Sequence, residues 1–152
     1  MKGLTYDQFD VAVIGGGAAG LMAAICAAKQ GALTAVADHA KGRCNLTNAD
    51  CDESKYRCSD PAFVKSVLAA FSGRDTLAFF RDTLQVETRE EKGCYYPRSG
   101  QAAAVRDALI FTAARLGVRI FRNTEVRAVR SKTEKEGRKT GFVIETDRGS
   151  LE

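Results

Sequence analysis

Tryptophan is absent from the 152 residues, proline occurs only twice and histidine once. So little proline excludes a proline-rich linker and a collagen-like chain. The one histidine, His39, reads as a solvated loop residue rather than a catalytic or metal-binding one. An excess of one charge is also missing: 23 basic residues against 19 acidic ones leave a formal net charge of +4. A dedicated nucleic-acid binder carries a larger and more one-sided surplus, so nucleic acid is not the expected partner. Disorder is excluded as well, because 45% of the residues are hydrophobic and 28% charged, enough for a folded core.

Cysteine is sparse and odd in number, five in all, with no compact secreted framework around it. These residues read as reduced thiols in a cytoplasmic protein. Cys44, Cys51 and Cys58 are evenly spaced, but the gaps are long for a zinc knuckle and no second pair accompanies them. No metal site is expected. Charge is missing altogether from Val11 to Ala28, which approaches the length of a membrane span. Gly15, Gly16, Gly17 and Gly20 interrupt that run, and Asp7 and Asp10 precede it where a signal peptide would carry positive charge. A buried strand, a tight turn and a small-residue helix explain the segment better than a membrane anchor.

The length is that of one ordinary domain. Residues 10–14, Asp-Val-Ala-Val-Ile, form a short apolar run of the kind buried in a parallel sheet. A glycine turn follows, then a helix over 18–30 with Gly31 as its stop, then a second strand over 33–37. Strand, helix and strand in this order make one βαβ unit. Residues 39–59 are polar and aperiodic and read as loop. Asp60-Pro61 opens a helix with Ser59 or Asp60 as N-cap, and Phe63, Val67, Leu68 and Phe71 give it an apolar face before Ser72-Gly73 ends it. A helix over 75–84 is expected next, then a hairpin of 86–89 with 94–96 around Glu91-Lys92-Gly93. Ser99 can cap a helix that runs to Leu116 and closes at Gly117. Residues 118–121 are the third candidate parallel strand, and 126–129 with 141–146 make a basic hairpin. The expected fold class is therefore α/β, a Rossmann-like domain with a parallel sheet and a C-terminal antiparallel hairpin.

Gly15, Gly17 and Gly20 fit the pattern G-x-G-x-x-G directly after a strand and at the opening of a helix. The first glycine permits the tight turn, the second lets backbone approach a pyrophosphate, and the third lets helix pack on strand. Free amides and the positive end of the helix dipole make an anion site there. Asp38, at the tip of the second strand, can accept hydrogen bonds from an adenosine ribose and disfavours a 2′-phosphate. A second constellation is Gly42-Arg-Cys-Asn-Leu-Thr-Asn48, whose polar side chains can bond a diphosphate or a flavin edge, or simply close on their own loop. Tyr95-Tyr96-Pro97 can border a flavin ring or serve a turn.

With these strings, and with Tyr96-Pro97-Arg98-Ser99, the chain resembles the N-terminal portion of the BaiN/YhiN-type NAD(P)/FAD-dependent oxidoreductases. The named activities of that family include aminoacetone oxidation and reduction of a bile-acid ring. The resemblance implies FAD as cofactor, with NAD(P)H as a possible electron donor and a small-molecule substrate. It also implies that Gly15, Gly17, Ala18, Ala19 and Gly20 line the pyrophosphate, Asp38 holds the ribose and Val126 meets the adenine through its backbone. Arg43, Asn45 and Thr47 would lie near the flavin. The chain departs from the family in three ways. Asp38 stands where glutamate is usual, only His39-Ala40-Lys41 separate it from the Gly-Arg-Cys-Asn string, and the substrate domain and C-terminal part of the FAD domain are missing. The expected function is thus the FAD-binding portion of a flavin-dependent oxidoreductase. Two rivals stand beside it: a truncated, non-catalytic remnant, and a flavin-dependent RNA-modifying protein suggested by the basic stretch from Arg115 to Lys139.

Overall fold

The computed structural model describes residues 8–38, 46–133 and 139–152. The chain divides into two compact units, one formed by residues 1–42 with 109–152 and the other by residues 43–108.

The first unit contains the βαβ element. Strand β1 (Val11–Ile14) leads through the glycine turn into helix α1 (Ala18–Lys29), which returns the chain to β2 (Thr34–Asp38). β2 is the middle of a parallel sheet with order β1-β2-β6, where β6 spans Arg119–Arg122. The register pairs Val11 with Thr34, Ile14 with Ala37 and Asp38 with Arg122. All five β2 residues are buried, the small apolar Ala35, Val36 and Ala37 in the middle and the polar Thr34 and Asp38 at the ends. Helix α1 packs on β1 and β2 through Leu21, Ala24 and Ile25, the i, i+3, i+4 spacing that places three side chains on one face. Each of the two large ones contributes roughly 1.5–3 kcal/mol by leaving water. The Asp10 carboxylate accepts from the Leu33 amide at 2.8 Å and so fixes the start of the β1–β2 pairing.

The same unit ends in an antiparallel sheet of β7 (Val126–Thr133), β8 (Lys139–Thr146) and β9 (Gly149–Leu151). The expected basic hairpin is therefore longer than its apolar residues indicated and gains a third strand. Its outer rows carry ion pairs, Arg130 with Glu145 at 2.6 Å and Lys132 with Glu152 at 2.5 Å, so alternating polar side chains extend the strands beyond the apolar ones.

The second unit is built on an antiparallel sheet of order β3-β5-β4, from β3 (Thr47–Asn48), β4 (Thr88–Glu91) and β5 (Cys94–Pro97). The β4–β5 turn has only Lys92 and Gly93 between paired Glu91 and Cys94, and both have positive φ, +52° and +77°. That two-residue turn sets the register and shifts β4 two positions later than the alternation of Val86 suggested. Part of the polar stretch expected to be loop is ordered here: β3 pairs with β5, and a 3₁₀ turn spans Glu53–Lys55. Helix α2 (Pro61–Ala70) starts as expected, with the Asp60 carboxylate accepting from the Phe63 amide at 3.1 Å. Ser72 does not end a helix but begins the next one, α3 (Gly73–Ala78), through a capping box with Asp75. The helical path then widens into a π turn over Phe79–Thr83, which turns Phe80 and Leu84 into the core. Helix α4 (Ala102–Arg115) carries the chain from the second unit to the first, with Val105, Leu109 and Ala113 buried at the four-residue spacing read from the sequence.

Candidate functional site

The candidate site lies in the first unit, at the C-terminal ends of β1 and β2. Gly15 has a φ of +103°, a conformation that a side chain would strain. Its amide still donates to the Ala37 carbonyl at 2.9 Å, so the turn starts as a continuation of the β1–β2 ladder. Gly17 is the N-cap of α1, with φ −73° and ψ 178°, and supplies no side chain to the first-turn amides. The first helical bond runs from the Leu21 amide to the Gly17 carbonyl at 2.9 Å. The amides of Ala18, Ala19 and Gly20 therefore precede the helical ladder. No acidic side chain occupies that first turn, so nothing on the helix itself neutralises the positive end of its dipole.

Each glycine meets a different neighbour. Among the described residues a Cβ on Gly17 would have nothing within 4 Å, and Gly17, Ala18 and Ala19 are exposed: backbone here faces space that a ligand can enter. A Cβ on Gly20 would collide with the Gly15 carbonyl and sit 3.2 Å from Val13 Cγ1. The close packing of helix on strand expected of Gly20 is thus present, and the turn's own carbonyl is the nearer obstacle. Gly16, which the three-glycine pattern leaves out, is buried; a Cβ there would lie 2.6 Å from Asp38 Cβ and Oδ1. The run of three consecutive glycines was the available signal for it.

Asp38 closes the site. It is the last residue of β2 and only 3% exposed, and its carbonyl accepts from the Thr124 amide at 3.1 Å. Thr124 is itself buried, and Val126 follows it as the first residue of β7. The structure thus brings Gly15, Gly17, Ala18, Ala19, Gly20 and Asp38 together, with Val126 on the segment that leaves β6 and bonds to Asp38 through the Thr124 amide. Thr47 lies in the other unit, in β3 opposite Tyr95; it lines a cavity of about 320 Å³ with Asn48, Cys51, Tyr56 and Phe71. Arg43 and Asn45 fall outside the described residues, as do His39 and Cys44. Open backbone at Gly17, the first-turn amides of α1 and a carboxylate at the tip of β2 are the groups that could hold a dinucleotide.

The other candidates have local partners. Cys51 Sγ and the Tyr56 hydroxyl are 3.2 Å apart, and that bond holds the Tyr56 phenol above its ordinary pKa. Tyr96 is raised the same way by its bond with Cys94. Among the described residues no group of three His, Cys, Asp or Glu side chains could hold a metal, and no helix is long and apolar enough to cross a membrane. A groove of about 700 Å³ runs along β1, lined by Phe9, Ile14, Leu33, Val129 and Phe142, and includes none of the glycine-turn residues.

The model of the HI0933-like protein Rossmann domain matches residues 9–149. The chain is 36% identical over 150 residues to 3-dehydro-bile acid delta(4,6)-reductase of Clostridium scindens, covering 90% of this chain and 35% of that protein. It is 29% identical over 146 residues to ribosomal RNA dihydrouridine synthase of Haemophilus influenzae, covering 89% and 36%. Among solved structures, 3-ketosteroid-delta4-(5alpha)-dehydrogenase from Rhodococcus jostii superposes with a TM-score of 0.62 at 16% identity, over 97% of this chain and 44% of that one. The chain spans about a third of the length of these two sequence relatives.

Proposed function

Because the chain belongs to the HI0933-like Rossmann family, we propose that it is the FAD-binding portion of a flavin-dependent oxidoreductase. One observation carries this reading: three glycines, a helix N-terminus and a buried carboxylate meet at the ends of two parallel strands. The family and its fold neighbours support FAD as the dinucleotide.

In this reading the amides of Ala18, Ala19 and Gly20 donate to the pyrophosphate, and Gly15 and Gly17 keep side chains out of its way. Asp38 accepts the hydroxyls of the adenosine ribose. Val126 meets the adenine through its backbone, and Arg43, Asn45 and Thr47 serve the flavin side. FAD, when bound, supplies the hydride chemistry, with NAD(P)H as donor and a small organic molecule or oxygen as acceptor. The chain's own part is to bind and orient; no residue of it is assigned as general acid or base. Purification and flavin titration test the reading. A yellow protein whose flavin-stripped form quenches added FAD to a one-to-one end point is expected, and a colourless protein that leaves FAD fluorescence unchanged refutes it in favour of a non-catalytic remnant.

A second reading, an RNA-modifying flavoprotein, has two supports: the dihydrouridine synthase relative, and Arg127, Arg130 and Lys132 exposed on β7. The ion pairs of Arg130 and Lys132 with Glu145 and Glu152 weaken the second support, because they neutralise that face. Structure-selective RNA binding that survives raised salt favours this reading. Binding that disappears at moderate salt is plain phosphate attraction and refutes it.

A further inference from the structure

We propose that Gly16 is a positioning residue: the side chain it lacks is the seat of Asp38, and the bare Cα holds the buried carboxylate against the turn. The inference rests on the functional reading above and adds a residue that the fingerprint leaves free. Gly16 does not have a positive φ, so its backbone is open to alanine and conformation is not what demands glycine here. Space is. A Cβ at Gly16 would fall 2.6 Å from both Asp38 Oδ1 and Asp38 Cβ. Rotation about χ1 of Asp38 can move the oxygen, but it cannot move Cβ, which is fixed by the β2 backbone. That backbone is held by its pairing with β1 and β6 and by the bond from the Thr124 amide to the Asp38 carbonyl. Asp38 is only 3% exposed, so the neighbours packed against it resist its withdrawal. A methyl group at 16 therefore displaces the end of β2 from the turn and misplaces the one acid of the cradle.

The test is a mutant cycle on the full chain, read by FAD fluorescence titration and by thermal melting without ligand. Gly16→Ala is expected to lower FAD affinity at least tenfold and to lower the melting temperature. In an Asp38→Ala background, which keeps the offending Cβ, the melting loss from Gly16→Ala persists. In an Asp38→Gly background it disappears, because no Cβ remains to be struck. Equal melting losses from Gly16→Ala in the Asp38→Ala and Asp38→Gly backgrounds overturn the inference, as does Gly16→Ala protein that binds FAD like the parent. A parent chain that fails to bind FAD overturns the functional reading instead.

Discussion

Gly17 and Gly20 are both glycines of one fingerprint, yet the structure assigns them opposite sensitivities, and a pair of substitutions separates them. Gly17→Ser puts a side chain where none of the described residues lies within 4 Å, at φ −73°, which any residue adopts. Serine is moreover a better N-cap than glycine, by a few tenths of a kcal/mol. The melting temperature should stay level or rise by about a degree. FAD binding should fall, because the hydroxymethyl group fills the open space through which a pyrophosphate reaches the first-turn amides. Loss of one charge-assisted hydrogen bond costs about 1.5–3 kcal/mol, or roughly ten- to a hundredfold in Kd. Gly20→Ala behaves otherwise. Its Cβ meets the Gly15 carbonyl, which is backbone and cannot rotate away. Overpacking of that kind costs about 1–3 kcal/mol, a fall of roughly 2–12 °C in Tm for a chain of this size. Circular dichroism melts and flavin fluorescence titrations on both variants decide the matter. Gly17→Ser protein that binds FAD as tightly as the parent refutes the open-cradle argument, and Gly20→Ala protein with an unchanged Tm refutes the packing argument.

Asp38→Ala should weaken FAD binding by about 1–3 kcal/mol, the cost of leaving ribose hydroxyls without their acceptor, and unchanged isothermal titration removes Asp38 from the site. Lys92 has φ +52° in a two-residue turn that favours Asn-Gly, so Lys92→Asn should raise stability by about 0.5–1 kcal/mol; a lower Tm contradicts the turn assignment. Ser72 hydrogen bonds hold the Asp75 carboxyl below the usual carboxylate range. A group depressed on folding stabilises above its unfolded pKa, and that contribution is lost as pH falls through the lower folded value. Ser72→Ala should therefore lose less stability between neutral pH and strong acid than the parent, and identical acid limbs in pH-dependent melts count against the capping box.

The βαβ element was legible because every signal for it is local. Apolar runs mark β1 and β2, Gly31 stops α1, and the glycine spacing marks the turn between strand and helix. What was not legible depends on distant partners. β3 is two residues long and exists because Thr47 and Asn48 pair with Tyr95 and Cys94, which no pattern within residues 39–59 encodes. Ser72-Gly73 reads equally well as the end of one helix or the cap of another, and only the reciprocal bonds with Asp75 decide. β9 came from pairing of Gly149–Leu151 with β8, again across the sheet. Gly16 belongs to the same class: its requirement comes from Asp38, on the next strand.

That dependence explains why one methylene matters at Asp38. A glutamate at the tip of β2, as is usual in the resembled family, carries its carboxylate one bond further from the backbone, and its position is set by side-chain torsions. An aspartate has fewer torsions, so its carboxylate is placed chiefly by where the strand backbone lies. With Asp38 buried and its Cβ over Gly16, the strand end, the turn and the carboxylate form one rigid piece. Rigidity reduces the ordering cost of binding, but it also removes the freedom by which a longer side chain could compensate for a displaced turn. The shorter acid thus makes the glycine turn less tolerant of substitution: Asp38→Glu should soften the loss of FAD affinity caused by Gly16→Ala, and an undiminished loss would place the tolerance elsewhere.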